Sequence, residues 1–192
     1  FLWTGHCNAK GKLWSAAKLF AFKDSYFLAA SEPEIEQSLG ELKKYAVFSK
    51  VDIEQSTLRL VGIIADDLTL IQEQLGLVFS AETTACDFSG GKALKLAKNR
   101  LMLVLNEGYQ LPETITLLHD DSLWQQFAIL AGEPQLNRDA IGEYVPQMVN
   151  LQAINGISFR KGCYTGQETV ARMKYLGKNK RAMFIVSGHS NG

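Results

Sequence analysis

A cysteine, Cys163, lies between two cations and the start of an expected helix. Arg160 and Lys161 precede it, and residues 167–176 after it have a composition that favours a helix. The unpaired amides at a helix start and the nearby cations both favour negative charge. We therefore expect this setting to stabilise a thiolate, the form of cysteine that reacts as a nucleophile.

The spacing of Thr165 and Glu168 is that of a capping box ahead of this helix, and Gly177 is placed to end it. An alternative interpretation of Cys163 stays open at this point. Most free cysteines behave as small hydrophobic residues and are inert in the core.

The composition indicates a globular protein with one domain or two small ones. The chain has 192 residues, of which 46% are hydrophobic and 21% charged. It contains no apolar run of about 18 residues and no signal-peptide pattern, so we expect a cytoplasmic protein with no membrane partner. Cys7, Cys86 and Cys163 lie far apart without CxxC spacing, so no metal is expected to be bound by this chain alone.

Charge is unevenly distributed, although the net charge is zero. Residues 160–181 hold seven basic residues and one acidic residue, Glu168, which predicts an anionic partner at this segment. The alternative is a solvated helix face with paired charges, since Glu168 and Arg172 stand four residues apart.

Hydrophobic patterning predicts an α+β architecture in which helices cover an antiparallel or mixed sheet. Ser31 and Glu34 form a second capping-box pattern, and Gly90-Gly91 marks a turn. The predicted strands are residues 2–7, 13–22, 26–30, 58–64, 101–105 and 182–186, with another from Val47 onward. The predicted helices are residues 31–46, 67–75, 112–119 and 167–176.

One octapeptide and four ordered blocks resemble a known family. The octapeptide consists of Lys161, Gly162, Cys163, Tyr164, Thr165, Gly166, Gln167 and Glu168, and the blocks are residues 7–15, 41–51, 131–134 and 146–152. The octapeptide is similar to the signature of the YgfZ proteins, which bind folate, are linked to tRNA modification and are relatives of the aminomethyltransferase of the glycine cleavage system. The four blocks resemble stretches of the bacterial protein in the same order.

The resemblance implies an α+β, aminomethyltransferase-like folate-binding body of three subdomains around a central opening, followed by a C-terminal barrel-like part. Residues 1–180 would form the body, incomplete at its N-terminus, and residues 181–192 would begin the barrel-like domain. We therefore expect an excerpt that lacks the N-terminal part and most of the C-terminal β-barrel domain.

The resemblance also implies particular site residues. Trp124 matches a tryptophan that contacts folate, and an indole offers a broad stacking face to a pterin; the alternative is a packing tryptophan on a helix. Cys163 is implied to be the functional thiol, with Lys161 beside it. Arg160 and Arg172, like Lys161, could contact the glutamate tail of a folate or an RNA phosphate.

Three functions are compatible with these features. The leading one is an accessory factor that binds tetrahydrofolate or a one-carbon derivative and supports tRNA modification and iron–sulfur enzymes, including tRNA-thiolating ones. A folate-dependent one-carbon transferase is the alternative; it would need Glu168 or Glu133 as acid or base, because residues 13–18 lack the carboxylate of the aminomethyltransferases. The third is an RNA-binding module, with tRNA as a candidate partner, that uses residues 160–181.

Overall fold

The computed structural model describes residues 1–80, 82–177 and 179–188, which form an α+β protein with two sheets. The chain divides into two compact units. The first unit comprises Phe1, Ala21–Ser25 and Ser56–Gln125, and the second comprises Leu2–Phe20, Tyr26–Gln55 and Gln126–Gly192. The predicted fold class is thus confirmed at the level of an α+β chain, while the predicted boundary at residue 180 and the barrel-like domain stay predictions.

The opening strands form the predicted meander. They are β1 (Leu2–Cys7), β2 (Leu13–Phe22) and β3 (Ser25–Ala29), in the sheet order β1-β2-β3. Strands β1 and β2 run antiparallel, and the register shifts at the end of β1, where Cys7 lies opposite Leu13. This hairpin brings its turn, residues 8–12, to the end of the sheet.

Helix α1 (Glu32–Ala46) begins with the predicted capping box. One oxygen of the Glu34 carboxylate accepts hydrogen bonds from the backbone amide of Ser31 at 3.2 Å and from its hydroxyl at 2.6 Å. The other oxygen accepts a hydrogen bond from the amide of Ala16 in β2 at 2.8 Å. Glu34 is therefore both a helix cap and a link from the helix to the sheet.

The strand predicted from Val47 onward is wrong. Residues 47–50 form turns, and residues 51–58 have no regular secondary structure. Val47 and Phe48 are exposed, so the apolar run that suggested a strand buries neither side chain. A strand also needs a partner for its backbone groups, and neither described sheet includes this segment.

The second sheet lies in the first unit and consists of β4 (Arg59–Ile64), β5 (Ala85–Phe88), β6 (Gly91–Ala97) and β7 (Arg100–Leu105), with Gly90-Gly91 at the predicted turn. The strand order is β4-β7-β6-β5, and all pairs are antiparallel. Helix α2 (Thr69–Leu75) follows β4 and ends, as predicted, at Gly76 in the left-handed conformation. The core of this unit consists of apolar side chains from the sheet and α2, among them Val61, Leu75, Leu101, Leu103 and Leu105.

The helix predicted at residues 112–119 is wrong. The backbone makes a single turn there, closed by the amide of Ile115 donating to the carbonyl of Pro112 at 2.9 Å. Consecutive β-branched residues, Thr114, Ile115 and Thr116, disfavour its continuation as a helix. The hydroxyl of Thr114 instead donates to the Gln74 side chain at 3.1 Å.

Two more α-helices, α3 (Ser122–Leu130) and α4 (Gln167–Tyr175), lie in the later part of the chain, with short 3-10 helices at Pro146–Val149 and Leu151–Ile154. The strand predicted at residues 182–186 is wrong, because residues 179–188 have no regular secondary structure and no described strand pairs with them. Within the described residues, none of the helices combines the length and the apolar character needed to cross a bilayer.

Candidate functional site

The loop that carries Cys163 leads directly into α4, as the sequence predicts, but its cap differs. The N-cap of α4 is Gly166 in the left-handed conformation, with φ +80°, and no side chain caps the helix at that residue. The predicted capping box of Thr165 and Glu168 is therefore wrong. Gln167 closes the loop instead: its amide donates to the carbonyl of Tyr164 at 3.1 Å, and its side-chain oxygen accepts from the amide of Tyr164 at 3.3 Å.

The same loop packs against the β1–β2 turn through two glycines. A Cβ on Gly166 would collide with the carbonyl oxygen of Asn8 and would lie 2.7 Å from the Cα of Gly11. A Cβ on Gly11, which has φ +74°, would lie 2.8 Å from the carbonyl oxygen of Gly166. Two backbones can approach this closely only where neither residue has a side chain.

The turn that receives the loop is itself held by Asn8. Its side-chain oxygen accepts hydrogen bonds from the amides of Lys10 at 2.9 Å and Lys12 at 3.0 Å. The backbone of Asn8 also bonds to Lys12 and Gly11. An asparagine that satisfies the backbone two residues on is the usual device of a tight turn. The structure thus brings together the first block of the resemblance and the octapeptide, which are about 150 residues apart in sequence.

A second thiol, Cys7, lies beside this loop and is buried in the core of the second unit. Burial raises the pKa of the Cys7 thiol to about 11, against a smaller opposing effect of the Lys161 ammonium. Burial also raises the pKa of the Tyr164 phenol, and Cys7 adds to that effect. Cys7 is therefore a neutral thiol at physiological pH. Its burial could not be predicted from the residues around it in sequence.

Cys163, by contrast, is exposed. Arg160 and Lys161 are exposed as well, and the Lys161 ammonium lies 4.4 Å from the centre of the Tyr164 ring. Gly162 has nothing within 4 Å of its Cβ direction, so the loop around Cys163 is open. The buried, inert alternative for this cysteine is not what the structure shows; an accessible sulfur can meet an external electrophile or ligand.

Helix α4 is anchored from a buried glutamine. The side-chain amide of Gln147 donates to the carbonyl oxygen of Val170, in the middle of α4, at 2.7 Å, and both residues are buried. The backbone carbonyl of Gln147 accepts from the side chain of Asn179 at 2.9 Å. Asn150 donates to the carbonyl of Met183 at 2.7 Å. The block 146–152 thus holds both α4 and the chain that follows it.

The remaining cation proposed for anion binding, Arg172, projects from α4. Its guanidinium lies 3.8 Å from the Glu168 carboxylate, and the two side chains are 71% and 87% exposed. An ion pair this open to water is weak, so it holds neither partner firmly. Arg172 is therefore available to an anion from solution.

Glu133, the other carboxylate considered as an acid or base, forms an ion pair. Its oxygen lies 3.1 Å from the ammonium of Lys18, and the two side chains are only 10% and 13% exposed. Lys18 also sits 4.0 Å from the centre of the Trp3 ring. Residues 13–18 provide no carboxylate of their own, yet Glu34 supplies one to Ala16 from α1. That carboxylate is buried and accepts bonds from the helix cap, which gives it a structural role.

Trp124 lies on α3 in the first unit, whereas Cys163 belongs to the second. Its half-buried indole covers Gly62 of β4, where a Cβ would collide with the ring. The guanidinium of Arg100 lies 5.0 Å from the ring centre. The rest of the indole ring is partly open to solvent. The sequence did not identify Gly62 or Arg100 as partners of this ring, because both contacts depend on the sheet.

Among the described residues, no group of three or more histidine, cysteine, aspartate or glutamate side chains is placed to hold a metal ion. The candidate site is the exposed loop that carries Cys163 and its neighbouring cations. The Gly11–Gly166 contact and the Gln147–Val170 hydrogen bond hold this loop and α4 in place. A separate half-buried indole lies in the other unit.

Comparison with known proteins identifies the class of this α+β chain. No protein-family model matches it. It is 46% identical over 191 residues to a protein of Vibrio vulnificus strain YJ016 called tRNA-modifying protein YgfZ, covering 97% of this chain and 58% of that protein. Proteins with the same name from Aliivibrio fischeri strain MJ11 and Colwellia psychrerythraea are 45% and 39% identical, over 97% and 95% of this chain.

The chain belongs to the YgfZ family. It spans under two thirds of the length of these curated relatives, namely 58% to 59%. The resemblance drawn from the octapeptide and the four blocks is thereby confirmed at the level of the family.

Proposed function

We propose that this protein is a folate-binding accessory factor that supports tRNA modification and iron–sulfur enzymes, with Cys163 as its functional thiol. The observation that carries the proposal is the exposed Cys163 on a loop held by the Gly11–Gly166 contact and by Gln147. Such anchoring presents a thiol in a defined direction while leaving it open to a partner. The name of the relatives, tRNA-modifying protein, agrees with the direction of the proposal.

The proposed cofactor is tetrahydrofolate or a one-carbon derivative, and the residue proposed to receive its ring is Trp124. The chemistry of the residue supports a fit, since the half-buried indole leaves part of an aromatic ring open to contact with a pterin. Arg160, Lys161 and Arg172, on the thiol loop and α4, are proposed as contacts for an anion, either the carboxylates of a folate or an RNA phosphate. The folate would supply or accept the one-carbon unit, and this chain would bind and orient it.

Cys163 would react with, or bind, a group that belongs to a partner. An exposed thiolate could accept a one-carbon unit, accept a sulfur species, or ligate a cluster transiently, and each of these needs the deprotonated sulfur. The proposed partners are iron–sulfur enzymes, including those that thiolate tRNA, and tRNA itself.

The settings of the candidate carboxylates favour an accessory role over that of a one-carbon transferase. A transferase would need an acid or base beside the folate nitrogens. Glu133 is held in a nearly buried ion pair with Lys18, and Glu34 is buried and accepts bonds from the helix cap. Glu168 is exposed to water beside Arg172. The first two carboxylates are thus held by structural partners and the third is open to water, which favours the accessory role.

A tetrahydrofolate titration, followed by tryptophan fluorescence and calorimetry, tests the cofactor. We expect a dissociation constant in the micromolar range or below, which corresponds to about −8 kcal/mol. Trp124→Ala should weaken binding at least about tenfold, the loss of one aromatic stack, whereas Trp124→Phe should retain most of it. Trp14→Phe, in the other unit, is the matched control. Binding that is unchanged in Trp124→Ala would remove this tryptophan from the folate site.

A complementation assay in cells that lack the endogenous YgfZ protein tests the thiol. Cys163→Ser should abolish the restoration of tRNA thiolation while leaving the folded protein and its folate binding intact. Cys86→Ser, which alters a half-buried thiol in the first unit, should complement fully. Full complementation by Cys163→Ser would refute the assigned role of the thiol, and loss of folding would show that Cys163 is a packing residue.

A further inference from the structure

The segment around α4 places aromatic rings and cations in direct contact at the surface. The ring centres of Phe159 and Tyr175 lie 6.4 Å apart at an interplanar angle of 73°. The ammonium of Lys174 lies 3.7 Å from the centre of the Phe159 ring and 5.2 Å from that of Tyr175. This group of three side chains, Phe159, Lys174 and Tyr175, is called the aromatic–lysine cluster below.

The cluster is open to solvent. Tyr175 is 66% exposed and Lys174 is exposed, while Phe159 is half-buried. Helix α4 buries Val170 on the side where Gln147 holds it, so its packing is accounted for without Tyr175. A tyrosine that served the core would not leave two thirds of its surface in water.

The surroundings of the cluster are basic. Residues 160–181 carry seven basic side chains and one acidic one, and the acidic one, Glu168, lies against Arg172. On the loop before α4, Lys161 lies over the Tyr164 ring at 4.4 Å, which repeats the pairing of a cation with an aromatic ring. Cations alone would suit any anion. Cations interleaved with exposed rings suit a ligand that alternates phosphates with flat bases.

We infer that the aromatic–lysine cluster, together with Arg160 and Lys161, binds an unpaired nucleic-acid strand. The ammonium and guanidinium groups meet the phosphates, and a base stacks on the open face of Tyr175. An acidic peptide would satisfy the charges but has no flat group for the tyrosine. RNA and DNA share both phosphate and base, so the test includes each.

The inference rests on the proposed function in one respect, tRNA as a partner, and is independent of folate and of the chemistry of Cys163. It adds one consequence, because the strand-binding loop and the exposed thiol are the same segment, residues 160–164. A bound strand would therefore pass close to Cys163.

Fluorescence anisotropy with labelled oligouridylate and oligothymidylate tests the inference on the protein without folate. Tyr175→Ala should weaken binding about fivefold or more, the effect of losing one base stack, while Tyr175→Phe should bind like the unchanged protein because it keeps the ring. Lys174→Ala should lower the slope of log affinity against log salt by about 0.7, the value for one phosphate contact on a single strand.

Two exposed residues elsewhere in the second unit serve as matched controls. Tyr26→Ala removes a tyrosine that is 83% exposed, and Lys43→Ala removes an exposed lysine of α1. Neither should change the affinity or the salt slope. Thermal unfolding of every variant shows whether the fold is kept.

Binding of both polymers supports the inference, and binding of one alone supports it while identifying the sugar that is read. Four results would overturn it: no binding of either polymer, equal losses in Tyr175→Ala and Tyr26→Ala, equal affinity for a duplex of the same length, or equal affinity for polyglutamate. The last would indicate an acidic protein partner. Since the folate titration and the complementation assay are separate, failure here would remove tRNA as a direct partner of this segment and leave the proposed roles of folate and Cys163 untouched.

Discussion

The two cysteines at the octapeptide loop differ in almost every physical respect, although both belong to blocks that resemble the same family. Cys7 ends β1 inside the core, where burial raises its pKa to about 11. Cys163 is exposed, on the loop that packs against the β1–β2 turn, residues 8–12. The difference teaches that membership of a recognisable block does not make a thiol reactive. The packing around each sulfur decides that.

The largest expected effect comes from separating the loop from the turn beneath it. Gly166→Ala adds a Cβ that collides with the Asn8 carbonyl, at a φ of +80° that side chains rarely adopt. Backbone strain and overpacking each cost about 1–3 kcal/mol, so we expect the free energy of unfolding to fall by roughly 3 kcal/mol. Urea unfolding measures it.

Gly162→Ala is the matched control for this change, because it lies in the same octapeptide and its Cβ would meet nothing within 4 Å. It should alter the free energy of unfolding by less than about 0.5 kcal/mol. Equal stabilities of Gly166→Ala and Gly162→Ala would show that the loop does not depend on its contact with the turn.

The second prediction uses pH to distinguish the two thiols. The pKa of Cys7 is raised in the folded protein from 9.0 to about 11, so the unfolded chain loses that proton first as pH rises. The stabilisation is present below pH 9 and is lost between about pH 9 and 11, by an amount on the order of 2 kcal/mol.

Urea unfolding across that pH range, compared between the unchanged protein and Cys7→Ala, isolates this contribution from other titrating groups. The variant should lack part of the alkaline loss of stability, and Cys163→Ser should retain all of it. Iodoacetamide at neutral pH should modify Cys163 before Cys7, as peptide mass spectrometry would show. Identical alkaline profiles of Cys7→Ala and the unchanged protein would contradict the buried setting of Cys7.

The third prediction weakens the other anchor of the loop. Gln147→Leu removes the bond to the Val170 carbonyl, and a net hydrogen bond contributes about 1 kcal/mol. We expect a loss of roughly that size and no more, since the side-chain oxygen of Gln147 has no hydrogen-bond partner among the described residues. Thermal unfolding, with exposed Gln152→Leu as control, measures it. A variant of unchanged stability would mean that α4 is held mainly by apolar packing.

The sequence predicted those features that local signals determine. Ser31 with Glu34 marked the start of α1, and Gly76 marked the end of α2, because capping and left-handed glycine act within a few residues. The same logic failed at Thr165 and Glu168, since contact with the distant turn favours Gly166 as the cap. Local signals cannot reveal a competitor supplied by tertiary structure.

The candidate site likewise has features that local sequence predicts and others that only tertiary contacts determine. Cys163 and its neighbouring cations could be identified from the octapeptide, because charge and residue type are visible in sequence. The burial of Cys7 and the contact between Gly11 and Gly166 depend on β1, β2 and the α4 loop meeting in space.

The smallest expected effect concerns the open side of the loop. Arg172→Ala breaks an ion pair of 3.8 Å between two side chains that are mostly in water, and exposed pairs contribute about 0–1 kcal/mol. We therefore expect the free energy of unfolding, measured by thermal unfolding, to change by less than about 0.5 kcal/mol. Because this variant keeps the fold, any weakening of folate or nucleic-acid binding in Arg172→Ala must come from the lost guanidinium itself.

Glu168→Gln is the matched control, since it breaks the same pair but keeps the cation. It should leave anion binding intact or improve it. If both variants weaken binding equally, the ion pair orients the ligand site, and Arg172 does not contact the anion directly.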